Sequence, residues 1–264
     1  MRIRTLRLMD FKRFDDLTID LGDEPKKIVA IVGPNGCGKS SLFDAFEEKL
    51  KDYRNYGNEG VEFYSKALFN EVEEGEASPS PYNKNSAITI ETTGDAVDRK
   101  SFYIRTAYRF TAKLNVKQLQ ETPDILETND EPISSIALDS RLQSNYQRLL
   151  GEAYQEFFDG EKTGKAVREE LLGRINAVLE KVLDVEISDL GDILRKRGQL
   201  YFKKEGSTHF PFANLSSGEK EVVDIVIDLM IKTKEYNNTV ICIDEPELHL
   251  NTAVQRKLLI EIEK

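Results

Sequence analysis

A glycine loop set between an apolar run and a helix constrains this chain more than any other stretch. Ile28-Val29-Ala30-Ile31-Val32 is continuously apolar and largely β-branched, Gly33-Pro34-Asn35-Gly36-Cys37-Gly38-Lys39-Ser40 follows at once, and Ser41 to about Asp52 reads as a helix. An apolar run of that kind predicts a strand covered on both faces, as in a parallel sheet flanked by helices. Strand, glycine loop and helix in that order form a unit of an α/β fold.

The loop satisfies G-x-x-x-x-G-K-[ST]. Its glycines let successive N–H groups turn inward as an anion nest, and the helix behind adds its positive dipole end. The pattern points to a nucleotide phosphate site. Lys39 would reach the β- and γ-phosphates and Ser40 would offer its hydroxyl to Mg²⁺.

A second motif lies near the other end. Thr239–Ile243 reads as another fully buried strand and ends in Asp244-Glu245. A carboxylate at the C-terminal end of a central strand lies where α/β sheets bind ligands. Asp244 is placed to hold a Mg²⁺ shell, and Glu245 to orient and deprotonate an attacking water. The competing reading makes the two carboxylates a cap for the next helix, with Pro246 in its first turn.

The third motif is Leu215-Ser216-Ser217-Gly218-Glu219-Lys220, ahead of an apolar helix from Glu219 to about Lys234. Taken alone it is an N-cap followed by an acidic first turn. The same N-terminus can hold an anion, with Ser216 and the Gly218 backbone donating to a phosphate. Such a helix lies beside the strand of Asp244 but far from its own glycine loop, so it would meet a phosphate only across a dimer.

Other segments are read more coarsely. Ile3, Leu6 and Leu8, then Leu17, Ile19 and Leu21, alternate with polar residues as a hairpin. Residues 86–93 and 101–110 suggest two strands about a Gly94-Asp95 turn, an attached antiparallel sheet. The acidic stretches 71–85 and 121–132 read as loop and linker. Helices are expected over 140–158 and 165–183, the second with Val167, Leu171, Ile175, Val178 and Val182 on one face. Leu200 and Phe202, then Phe210 and Phe212, suggest strands about a Glu205-Gly206 turn.

GPNGCGKSS, LSSGEKE and ICIDEPELHL, in this order, resemble the Walker A, signature and Walker B motifs of ABC-type ATPases. The opening LMDFKRF resembles the SMC/RecF group, and DEPELHL is similar to OLD-type nuclease ATPases and AAA-type ATPases of phage-defence systems. The resemblance covers residues 1–50 and 195–260. It implies a P-loop NTPase of the ABC-ATPase head type, with a mostly parallel core sheet, an attached antiparallel β-sheet and a helical subdomain. Residues 1–55 and 195–264 would form the nucleotide-binding core of one ATPase domain, 56–135 a β/loop insertion and 136–194 the helical subdomain.

The resemblance also implies ATP and Mg²⁺ as ligands, and ATP sandwiched between two protomers. Gly33, Pro34, Asn35, Gly36, Cys37, Gly38, Lys39, Ser40 and Ser41 would cradle the phosphates, with Lys12 and Arg13 flanking the nucleotide. Ser216 and Gly218 would act in trans on the γ-phosphate, and Glu245 would be the catalytic base beside Lys39. Ser40 and Asp244 would hold the metal with a glutamine, for which Gln118, Gln120, Gln143 and Gln147 are candidates and Gln143 is preferred. The signature carries Ser217 where a glycine is usual. The family's switch histidine follows a further strand, whereas this chain runs 19 residues past Glu245 into a helix. That strand and histidine are therefore absent or lie in sequence beyond it, and the ATPase domain is expected to be incomplete at its C-terminal end.

Composition narrows the setting. In 264 residues, 37 Lys+Arg face 47 Asp+Glu, a net charge of −10, which disfavours sequence-blind DNA binding by the whole surface. Arg195-Lys196-Arg197 with Lys203-Lys204 form a local basic cluster, read first as a solvated face and second as a contact for DNA. Two cysteines, Cys37 and Cys242, cannot build a disulfide framework, and the reducing cytoplasm is the expected compartment. No apolar run is long enough for a membrane span. His249 could face a dimer partner or serve in capping, His209 reads as an ordinary strand residue, and Cys37 as a small filler of the loop.

The expected activity is Mg²⁺-dependent ATP hydrolysis coupled to dimerisation, controlling a nuclease-like or toxin-like effector in DNA maintenance or anti-phage defence. The alternatives are an ATP-binding scaffold with weak turnover that holds an effector, or the ATPase half of an OLD-type nuclease.

Overall fold

A computed structural model describes residues 1–24, 26–53, 84–109, 113–118, 120, 138–158, 163–192, 198–233 and 236–263. The expected acidic linker at 121–132, the Arg195–Arg197 part of the basic cluster and nearly all of the loop at 71–85 lie outside them. The chain divides into two units, each with its own core. One is built chiefly from Met1–Arg105 and Asn238–Asp244, the other from Leu138–Asn237 and Glu245–Lys264 together with the stretch that starts at Thr106.

In the first unit, β1 (Arg2–Phe11) pairs antiparallel with β2 (Phe14–Asp20), with Leu6 opposite Ile19 and Leu8 opposite Leu17. The alternation puts Leu6 and Leu8 inside, while Arg7 pairs with Asp16 on the solvent face at 2.9 Å. The turn holds only Lys12 and Arg13. Helix α1 (Lys39–Leu50) buries Leu42, Ala45, Phe46 and Leu50, a three- and four-residue repeat. A one-turn helix, α2 (Lys84–Ala87), precedes β3 (Ile88–Thr93). β4 (Phe102–Arg105) runs parallel to β8 (Val240–Ile243), Phe102 opposite Val240 and Arg105 opposite Ile243. Phe46 of α1 stacks on Phe102 of β4 with ring centres 4.4 Å apart.

Two expectations change here. The strands about Gly94-Asp95 do not pair with each other: β3 joins β1 in a β2-β1-β3 sheet, while β4 joins β8. Alternating residues mark strands but do not choose partners, and a turn between two strands is compatible with their entering different sheets. The second concerns Ile28–Val32, which lies outside every strand pairing among the described residues. Ile28, Val29, Ile31 and Val32 are 52%, 47%, 40% and 90% exposed. Apolar β-branched side chains suit a doubly covered strand, but burial also needs neighbours to complete the ladder, and β8 gives its described ladder to β4. Correspondingly β8 is not fully covered: Cys242 is buried and Ile241 is 39% exposed.

The second unit is largely helical. α3 (Leu142–Phe158), α4 (Gly164–Leu183) and α5 (Ser217–Lys232) pack on one another, and α6 (Thr252–Glu263) packs on α4. α5 buries Val222, Val223, Ile225, Val226 and Ile227, as its all-round apolar character requires. The inner face of α4 keeps Val167, Ile175 and Val182 of the expected stripe but takes Leu172 and Leu179 in place of Leu171 and Val178. Leu172, Ile175, Leu179 and Val182 are buried, whereas Leu171 and Val178 are half-buried beside them. A three-stranded antiparallel sheet, β5 (Val185–Asp189), β6 (Tyr201–Lys204) and β7 (Ser207–Pro211), completes the unit. β5 was not expected. It starts directly after Asp184, a left-handed residue that ends α4. No helix among the described residues is long and apolar enough to cross a membrane.

Candidate functional site

The glycine loop is shaped by positive-φ backbone and clasped by the β1–β2 turn. Gly36 has φ +78° and Gly38 φ +102°, conformations that side chains disfavour. Gly38 also has no room, since a Cβ there would lie 2.5 Å from the Phe14 ring. A Cβ on Gly33 would sit 2.7 Å from the Cys37 sulfur, so that glycine makes space for Cys37. Arg13 donates to the Gly36 carbonyl and Lys12 pairs with Asp44 of α1. The two basic residues expected near the nucleotide thus also anchor the loop and its helix.

Gly38 opens α1 and supplies no side-chain cap to its first turn. The N–H groups there are the donors a phosphate would use. Lys39 Nζ donates to the carbonyls of Gly33 at 2.8 Å and Pro34 at 3.1 Å, which folds the side chain over the loop. Ser40 Oγ donates to Asp244 Oδ2 at 2.7 Å, joining residues 204 positions apart. A hydroxyl and a carboxylate, both oxygen donors, suit a hard cation such as Mg²⁺, which keeps several waters and needs few protein ligands. The described residues hold no cluster of three or more His, Cys, Asp or Glu side chains that could ligate a metal, so any cation here would rely on phosphate and water as well.

In the other unit, Ser216 caps α5 in a reciprocal capping box. Its hydroxyl accepts from the Glu219 N–H at 3.3 Å, while Glu219 Oε2 accepts from the Ser216 N–H and Oγ, each at 2.8 Å. Partial burial pushes the Glu219 carboxyl up, but the Ser216 bonds and the Lys204 charge pull harder, so it lies below the usual glutamate range. Gly218 packs on backbone, with a Cβ there falling 2.6 Å from the His249 carbonyl oxygen. Of His249, then, it is the carbonyl that meets the signature segment.

Glu245 is exposed and left-handed, with φ +45°, and Leu248 N–H donates to its carbonyl at 3.1 Å. The residues after it form a turn, and α6 begins only at Thr252, where Asn251 caps the Val254 N–H at 3.0 Å. The capping reading of Asp244-Glu245 therefore has no counterpart, because that helix carries its own cap. Of the candidate glutamines, Gln118, Gln120 and Gln143 are exposed and Gln147 is buried on α3. His209 stacks on Tyr201, and burial pushes the Cys242 thiol up, leaving it an inert core group.

Two residues not singled out in the sequence, Arg109 and Glu221, link Glu245 to α5. Arg109, buried, donates to Glu221 of α5 and to the Glu245 carbonyl. Neither belongs to a recognisable spacing; a charged residue among apolar ones on α5 was the only available signal.

A family model described as "AAA domain, putative AbiEii toxin, Type IV TA system" matches residues 28–264, and a second AAA-domain model matches residues 1–53. The chain is similar to the chromosome partition protein Smc of Bordetella petrii, 40% identical over 68 residues, 24% of this chain and 6% of that protein. It is 46% identical to Smc of Thauera aminoaromatica over 54 residues, 20% of this chain and 4% of that one. With Smc of Xanthomonas oryzae pv. oryzae it shares 50% identity over 46 residues, 17% of this chain and 4% of the relative. The matched stretch spans no more than 6% of the length of these relatives.

Proposed function

Because this chain belongs to that AAA-domain family of P-loop nucleotide-binding ATPases, we propose that it binds ATP with Mg²⁺ and hydrolyses it as a head-to-head dimer. The observation that carries this reading is the Ser40–Asp244 hydrogen bond of 2.7 Å, which joins the phosphate loop to the carboxylate at the end of β8.

In the proposed reaction the loop N–H groups and Lys39 hold the β- and γ-phosphates. Ser40 and Asp244 would hold Mg²⁺, with Gln143 as the preferred further contact, and the ion would supply charge neutralisation on the phosphate oxygens. Glu245, next in the chain after Asp244, orients the attacking water and takes its proton. Ser216 and Gly218 of a second copy donate to the γ-phosphate. The share of catalysis that falls to the protein is positioning and electrostatic stabilisation. The SMC-, RecF- or OLD-like identity belongs to this proposal. So does control of a toxin-like or nuclease-like effector in DNA maintenance or phage defence; the family description names a toxin and the relatives' name chromosome partition, which favours the toxin-like and DNA-maintenance parts. A cytoplasmic setting fits two free cysteines.

One observation favours a second reading, an ATP-binding scaffold with slow turnover: the Ser216 hydroxyl is already committed to Glu219. Nucleotide titration and steady-state hydrolysis by the full-length protein test both. Lys39→Ala should weaken ATP binding by about tenfold or more, the worth of a charge-assisted contact. Unchanged affinity would refute the phosphate-loop assignment. ATP binding with dimerisation but negligible turnover would favour the scaffold.

A further inference from the structure

We infer that Arg109 is a positioning residue that fixes the backbone of Glu245 to helix α5, so that turnover depends on where the signature helix sits. The inference rests on the reading of Glu245 as the group that handles the attacking water. Arg109 is 5% exposed. Its Nε and one terminal nitrogen donate to Glu221 Oε1 at 3.2 and 2.5 Å, and the other terminal nitrogen donates to the Thr106 carbonyl. The nitrogen that meets Glu221 at 2.5 Å also donates to the Glu245 carbonyl at 3.0 Å. A planar guanidinium reaches a carboxylate and two carbonyls at once because its donors point in fixed, divergent directions; a lysine ammonium lacks that fork.

The two groups so joined have distinct duties. Glu245 holds left-handed backbone, a conformation its surroundings must impose on a residue with a Cβ. Glu221 lies five residues after Ser216, on the helix that Ser216 caps. The segment after Glu245 meets the same helix a second time, where the His249 carbonyl closes on Gly218. The turn at 245–249 is therefore held to α5 at two points, Glu245 through Arg109 and His249 directly at Gly218. A movement of the first turns of α5, of the kind a phosphate at Ser216 would impose, is passed to the Glu245 carbonyl. Misplacing a reacting group by about 1 Å can cost about a hundredfold in rate, so this link is sufficient to gate hydrolysis.

The test must separate positioning from simple core stability. Arg109→Met with Glu221→Met replaces the buried ion pair by apolar side chains of similar length, a change that folded proteins commonly tolerate. Measured on the full-length protein, the double variant should retain ATP affinity and KM within about twofold while kcat falls by about tenfold or more, the pattern of a lost transition-state interaction. A folded double variant with kcat within about twofold of the parent would overturn the inference. Should the double variant not fold, Arg109→Lys and Glu221→Gln decide. Glu221→Gln keeps the donor to Glu245 and should lose less kcat than Arg109→Lys; an equal or larger loss overturns the inference. Glu245→Gln, assayed in parallel, separates the two ideas. Normal turnover in that variant removes the base role and the inference with it, whereas stalled Glu245→Gln beside an active double variant removes only the role of Arg109.

Discussion

The two helices to which the proposed reaction assigns phosphate contacts begin in opposite ways. α1 starts at Gly38, left-handed and without a side-chain cap, and its loop is bent by glycines and clasped by Phe14 and Arg13. α5 starts at Ser216 with a complete capping box, which satisfies the N–H groups of Ser216 and Glu219. Both N-termini attract anions, but the first has no side-chain cap, whereas the second has committed two of its N–H groups to its own capping box. For α5 to contact a phosphate, the Ser216 hydroxyl must exchange Glu219 for the ligand, and one carboxylate must yield to another anion. Under the proposed reaction this difference is a division of labour, in which α1 would bind and α5 would respond.

The comparison can be broken at either end, and the larger effect is expected at α1. Gly38→Ala forces a Cβ into left-handed backbone and against Phe14. It should cost about 1–3 kcal/mol of stability and abolish nucleotide binding. Thermal melting and nucleotide titration check this, and a variant with unaltered binding would show that the loop shape is not what matters. At α5 the effect is smaller. Ser216→Ala removes the cap at a cost of about 1 kcal/mol and should weaken nucleotide binding less than Gly38→Ala does. The cap also has a pH signature. Because the Glu219 carboxyl is lowered in the folded chain, its contribution is fully present above the unfolded glutamate value of about 4.3 and is lost as pH falls through the lower folded value. Melts from pH 7 down to pH 3 should therefore show an acid-side loss in the parent that is reduced in Ser216→Ala, with no difference in slope above about pH 5.

What the sequence made legible follows from how local each signal is. The helices α3, α4 and α5 were recognisable because apolar spacing and end residues such as Ser216 act within one or two turns. The phosphate loop was recognisable because its chemistry needs particular residues at fixed spacing. Strand partnership was not, since β3 and β4 choose different sheets through contacts remote in the chain. Ile28–Val32 has the composition of a core strand, and that composition alone does not supply neighbours. Arg109 lay beyond reach for the same reason. Its partners Glu221 and Glu245 are 112 and 136 positions away, and no local pattern marks them. The Ser40–Asp244 contact is equally remote, yet two recognised motifs anticipated it.

The claim that two copies complete one another's ATP sites is tested most directly by mixing two disabled proteins. Lys39→Ala lacks a functional phosphate loop but keeps Ser216, and Ser216→Ala keeps the loop but lacks the trans donor. In a mixed dimer, one of the two sites has both an intact loop and an intact donor. The account predicts that the mixture hydrolyses ATP well above the sum of the separate variants. Hydrolysis no greater than that sum, in a mixture shown to form mixed dimers, would contradict it.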